Sequence, residues 1–152
     1  MESKGKSNMN TAFIVELFIL FLILLVLIVT VTTVSAKARV QGLEAELLNG
    51  AVICAENMAE VTAPAEKPKQ AAQLAKFMDG AQGIDQKDGQ VQVYVLMKRG
   101  KKDTEYRLVM DMERDAGESG AYVKKSISVY APEETEPLYV LDTGSYIREG
   151  ER

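Results

Sequence analysis

The chain has 152 residues and a formal net charge of −4, a size that suits one domain with a short anchoring or targeting segment. It has no histidine and one cysteine, so an internal disulfide is impossible and a cysteine-built metal site is not expected. The acidic balance argues against nonspecific binding to nucleic acid, which requires a net basic surface.

The first feature along the chain is an apolar run over residues 12–36 whose only charge is Glu16. A helix over this run would be about 37 Å long at about 1.5 Å per residue. That length crosses a hydrocarbon core of about 30 Å. We expect a single-pass helix in membrane lipid, with residues 1–11 as a short cytoplasmic leader or tail and the C-terminal domain outside. The small residues before and at Ala36 also suit signal peptidase, so a secreted soluble domain released near Ala36 is an alternative.

A helical pattern continues over residues 37–61. Apolar residues recur there at steps of three and four, which predicts an amphipathic extension of the same helix. We expect its apolar stripe to pack on the domain that follows, and partly on other copies of the helix. Cys54 lies on the stripe and is interpreted as a buried apolar group rather than a reactive thiol. The stripe consists of Val40, Leu43, Leu47, Ala51, Cys54, Met58 and Val61.

Residues 62–152 predict an α+β domain outside the cytoplasm. Pro64 and Pro68 end the long helix. Residues 69–79 then fit a short helix, and residues 80–90 a loop. Apolar and polar residues alternate afterwards, which predicts four antiparallel strands separated by a loop at 115–120 and followed by a loose tail from 143 to 152. The predicted strands cover 91–98, 106–113, 121–130 and 138–142. The expected fold is a long N-terminal helix, transmembrane and then amphipathic, packed on a four-stranded antiparallel sheet.

This order of elements resembles the fold of type IV pilins and pseudopilins. Residues 12–20, AFIVELFIL, are similar to the start of a mature pilin, where a glutamate at the fifth position opens an apolar helix after a short basic leader. The shorter TadE-like proteins share a comparable glutamate. The resemblance implies that residues 1–11 are a leader and that Glu16 is an assembly residue, neutralised by the N-terminal amine of a neighbouring subunit.

Two alternatives accompany this interpretation of Glu16. Thr11 stands where prepilin peptidase sites generally carry a glycine, which leaves open whether residues 1–11 are removed. If they stay attached, Lys4 or Lys6 would have to supply the neutralising charge. The glutamate could instead lie at the lipid headgroups, where the positive N-terminal end of a helix also favours an acid.

Motifs for catalysis are missing from the sequence. It contains no histidine base, no nucleophile–base pair and no glycine-rich phosphate loop, so we expect neither an enzyme nor a cofactor or small-molecule substrate. The favoured function is a pilin-like structural subunit of a bacterial envelope filament or secretion-type assembly, associating with itself or with other pilin-like subunits through the N-terminal helix. The alternative is a membrane-tethered binding module, besides the secreted domain named above.

Overall fold

The computed structural model describes residues 4–87, 89–99, 102–117 and 120–148. Those residues form a long helix, a short helix with a 3-10 turn after it, and five strands, so the class is α+β. The helices are α1 (Lys4–Val61), α2 (Pro68–Leu74) and the 3-10 turn Ala75–Phe77. The strands are β1 (Ala81–Lys87), β2 (Gln90–Arg99), β3 (Lys102–Gly117), β4 (Gly120–Tyr130) and β5 (Tyr139–Arg148). The chain divides into two compact units, Met1–Ala45 and Glu46–Arg152.

The first unit contains the apolar part of α1. Every residue from 11 to 45 is exposed, including all the large apolar side chains of the predicted membrane span. The hydroxyls of Thr30, Thr32 and Thr33 donate to backbone carbonyls three or four positions earlier, so these polar groups are satisfied within the helix. Among the described residues, α1 is the one helix that is both long enough and apolar enough to cross a membrane.

The second unit is built on a five-stranded antiparallel sheet in the order β1-β2-β3-β4-β5. The prediction of four strands was wrong, because β1 lies within residues 80–90, which we predicted as a loop. β1 reads AQGIDQK and has one large apolar residue, Ile84, so it lacks the alternation by which strands are recognised. It pairs with β2 at the edge of the sheet, where backbone hydrogen bonds suffice.

Two further strands are longer than predicted. β3 and β4 continue through most of the predicted loop at 115–120, with residues 118–119 outside the described part of the chain. β5 runs to Arg148, although residues 143–148 were predicted as a loose tail. It pairs with β4 over ten positions, from Val129↔Tyr139 to Gly120↔Arg148. This long register supports a polar, glycine-containing segment with weak strand propensity of its own.

The core of the second unit lies between the end of α1, the short helix and one face of the sheet. Small residues on the helices allow close approach to the valine-rich central strands. The hydroxyl of Tyr106 donates to the carbonyl of Leu47 at 3.1 Å, and its ring occupies the space that a side chain at Gly50 would need. The buried core comprises Ala51, Cys54, Ala55, Met58, Ala65, Ala71, Ala75, Met78, Val91, Val93, Val95, Tyr106, Leu108, Met110, Ile127 and Val129.

Candidate functional site

Glu16 lies on the exposed surface of α1 in the first unit. It shares a shallow groove along the helix with Thr11, Ala12, Val15, Ile19 and Leu20. A second groove on the same segment is entirely apolar and is lined by Ile14, Leu17, Phe18, Leu20, Phe21 and Leu24. The helix therefore has one side that carries the carboxylate and another that carries only aliphatic and aromatic groups.

A carboxylate inside an apolar span has an energetic cost. That cost is about 2.5 to 3.5 kcal/mol at the centre of a membrane helix and smaller near its end. Glu16 belongs to the first turns of the apolar run, so a headgroup location or a cationic partner would reduce the cost. Lys4 and Lys6, the alternative cations, have side chains that lie outside the described residues.

The seven stripe residues differ in burial. Ala51, Cys54 and Met58 are buried in the second unit, and Leu47 and Val61 are half-buried there. The other two, Val40 and Leu43, belong to the first unit and are each 55% exposed. Burial raises the pKa of the Cys54 thiol to about 11, so the reactive thiolate is scarce at neutral pH.

Lys125 is a buried cation that the sequence analysis did not single out. It is 2% exposed and lies on the helix-facing side of β4, between Val123 and Ile127. Its Nζ donates to the carbonyl of Thr62 and, at 2.9 Å, to the carbonyl of Ala63. The signal in the sequence was a lysine at a strand position whose alternate neighbours are all apolar.

The ammonium group of Lys125 lies next to the carbonyls of Thr62 and Ala63, directly after the C-terminal end of α1. The last carbonyls of a helix have no intrahelical donors and carry a partial negative charge, so an ammonium group there is favourable. Burial removes water from the ammonium group and lowers the pKa of Lys125. The hydroxyl of Thr62 donates back to the carbonyl of Met58 at 2.6 Å. Together these contacts fasten the end of α1 to the fourth strand.

The other face of the sheet is not covered by the helices and displays aromatic and charged groups. The guanidinium of Arg107 lies 4.5 Å from the centre of the Tyr130 ring, a cation–π distance. Its Nη2 also donates to the carbonyl of Glu134, at 3.4 Å, in the acidic turn after β4. Tyr94 is the direct cross-strand neighbour of Arg107 and is 42% exposed.

A second pair of tyrosines lies on the same open face. Tyr122 and Tyr146 face each other across β4 and β5 and are 48% and 58% exposed. The ring of Tyr122 covers Gly144, and the ring of Tyr146 covers Gly120. Each glycine thus makes room for an aromatic ring from the neighbouring strand.

Within the described ranges, no group of three or more acidic, histidine or cysteine side chains could hold a metal ion. Comparisons with known protein families, with curated proteins and with solved structures find no match to this chain. The candidate surfaces are therefore the apolar helix with Glu16 and the open face of the sheet.

Proposed function

We propose that the chain is a pilin-like structural subunit of an envelope-associated filament or secretion-type assembly. Residues 12–36 anchor it in the membrane, and the α+β domain lies on the outer side. The observation that carries the proposal is Glu16, a single carboxylate on the exposed side of an otherwise uncharged apolar helix.

Glu16 supplies what an apolar helix otherwise lacks, a specific contact point for a neighbour. Lipid chains are as apolar as leucine, so the hydrophobic effect does not drive such helices together, and polar contacts and close packing have to. A cation from a neighbouring subunit would neutralise the carboxylate and set the relative register of the two helices. By the pilin resemblance this cation is an N-terminal amine, and with residues 1–11 retained it is Lys4 or Lys6.

The test compares self-crosslinking through a cysteine placed at Ile23, an exposed position within the span. Glu16→Ala should insert into the membrane as well as the parent protein, because the span becomes more apolar. It should nevertheless lose crosslinking between copies. Glu44→Gln removes an exposed carboxylate from the same helix outside the apolar run and serves as the matched control. Equal crosslinking in all three forms, at equal membrane levels, would rule out assembly through Glu16.

The second candidate function is a membrane-tethered binding module. The exposed tyrosines of the open sheet face favour it, because tyrosine and arginine are enriched at the centres of binding interfaces. In that case Glu16→Ala leaves every property unchanged, whereas Tyr94→Ala releases a protein that copurifies with the parent chain. If the protein isolated from its native host has the intact mass of a chain that begins at Lys37, a secreted domain is indicated instead.

A further inference from the structure

Phe77 is an apolar side chain that projects from the surface of the second unit. It lies in the 3-10 turn after α2 and is 81% exposed, a larger fraction than for any other large apolar side chain in the described part of the chain. Its neighbours Ala75 and Met78 are buried in the core and hold the turn in place. A single exposed apolar residue is common on protein surfaces, so the meaning of Phe77 depends on what surrounds it and on what could receive it.

The surface around Phe77 is basic. Between positions 67 and 79 the charged residues are three lysines and one aspartate, all exposed, which gives a net charge of +2. One of the lysines, Lys76, directly precedes Phe77. A surface that receives Phe77 therefore needs an apolar recess with acidic groups beside it.

A recess with these properties lies on the open face of the sheet in the same unit. It is a cleft of about 510 Å³ that crosses the sheet from Gly83 of β1, past Tyr94 of β2, to Pro132 in the turn after β4. Clefts that bind ligands have volumes of about 300 to 1,000 Å³. The ring of Tyr94, which is 42% exposed, and the ring of Pro132 supply apolar contact surface.

The surroundings of the cleft are acidic. Glu105 and Glu133 line it and are exposed. The turn at residues 131–137 contains three glutamates and no basic residue. Arg107 also lines the cleft, but its guanidinium already lies against the ring of Tyr130. The cleft is thus complementary in charge to the lysines around Phe77.

We propose that Phe77 of one copy of this chain enters the cleft on the next copy. Its ring contacts Tyr94 and Pro132, since aromatic rings pack well against other rings, and Lys76 lies beside Glu105. A second copy is the occupant because one chain supplies both halves of the contact, the projecting ring with its cations and the recess with its carboxylates.

The contact joins two different surfaces and is therefore heterologous. It needs no two-fold axis, so all copies can keep the same orientation, with their α1 helices parallel in one membrane. Gln82 and Val95 line both the cleft and a hollow beside Met78, so Phe77 and the cleft lie at the same end of the sheet. Repetition of such a contact gives a ring or an open filament. The inference rests on the proposed assembly of copies but uses no residue of the membrane span.

The test places the photoreactive amino acid p-benzoylphenylalanine at position 77 of the full-length chain in native membranes, which keeps an aromatic ring there. Ultraviolet light should give dimers and longer products, with the adduct in peptides that contain Tyr94 or Pro132. The same amino acid at position 122 is the matched control, because Tyr122 is an exposed aromatic residue of the open face outside the cleft. It should give at least about tenfold less dimer, since interface energy is concentrated in a few residues.

The charge complementarity is tested in the protein with p-benzoylphenylalanine at position 77. Glu105→Lys places a lysine beside the incoming Lys76 and should lower the dimer yield at least about fivefold. Adding Lys76→Glu exchanges the two charges and should restore the yield. Glu113→Lys makes the same change at an exposed position of β3 outside the cleft and should leave the yield unchanged.

Several results would overturn the proposal. These are equal yields from Glu105→Lys and Glu113→Lys, adducts in peptides outside the cleft, and adducts with lipid or another protein instead of a second copy. Crosslinking at Ile23→Cys reports on the helix contact separately. Crosslinking at Ile23→Cys without dimers from position 77 would refute the cleft contact alone, and the reverse result would refute assembly through Glu16 alone.

Discussion

Replacing Lys125 by methionine removes the ammonium group that caps α1 while keeping the length of the side chain. In the folded protein Nζ donates to the carbonyls of Thr62, which is buried, and of Ala63, which is exposed. The side chain of Lys125 itself is almost completely shielded from solvent. The substitution leaves the carbonyl of Ala63 without the Lys125 donor and leaves the carbonyl of Thr62 with the N–H of Ala65, at 3.0 Å, as its donor. We therefore expect a loss of stability rather than a neutral exchange.

The magnitude follows from two opposing contributions. Hydrogen bonds to a charged group contribute about 1.5 to 3 kcal/mol each, so two of them amount to about 3 to 6 kcal/mol. Burying an ammonium group costs part of that gain, as the lowered pKa of Lys125 shows. We expect Lys125→Met to lower the free energy of unfolding by about 2 to 3 kcal/mol. For a unit of this size that corresponds to a fall in Tm of roughly 10 °C or more.

The assay is thermal unfolding of the full-length protein in detergent, monitored by the far-ultraviolet circular dichroism of the sheet. Lys124→Met is the matched control, because Lys124 is the adjacent residue of β4 and is exposed on the open face. It should change Tm by no more than about 2 °C, as surface substitutions usually do. A Tm for Lys125→Met equal to or above that of Lys124→Met would refute the capping role and indicate that the buried charge is a net cost.

Three other outcomes concern the packing of α1. Met58→Asp should unfold the second unit, at a cost of about 4 kcal/mol or more, because it buries an unpaired carboxylate. Glu56 lies nearby on the exposed side of α1, and Glu56→Lys should have the same Tm as the parent. Gly50→Ala should destabilise by about 1 to 3 kcal/mol by displacing the Tyr106 ring, and urea unfolding of both forms should give the difference. Between pH 9 and 11 the free energy of unfolding of the parent should fall by about 2 kcal/mol more than that of Cys54→Ala. The reason is that the folded thiol, with its raised pKa, stays protonated in this range while the unfolded thiol ionises. Parallel plots of unfolding free energy against pH for the two proteins would contradict this.

Several features of the molecule follow from the sequence alone. The long helix and the alternating segments of β2, β3 and β4 were recognised because their period is determined by neighbouring residues. The same local signal located the short helix predicted over residues 69–79, although the structure ends α2 at Leu74 and continues it as the 3-10 turn to Phe77. Ala71 in α2 and Ala75 in the turn are both buried. Glu16 was singled out because one charge within a long apolar run is visible without any structure. Its role in assembly remains a prediction.

Other features depend on residues that are distant in the sequence. β1 and the second half of β5 become strands because neighbouring strands offer backbone hydrogen-bond partners, and such pairing leaves little mark on side-chain composition. Lys125 is buried because the carbonyls at the end of α1, more than sixty positions earlier, accept its hydrogen bonds. Local periodicity thus identified the helices and the strands β2, β3 and β4, whereas tertiary pairing determined that β1 is a strand, how far β5 extends and which charged group the core accepts.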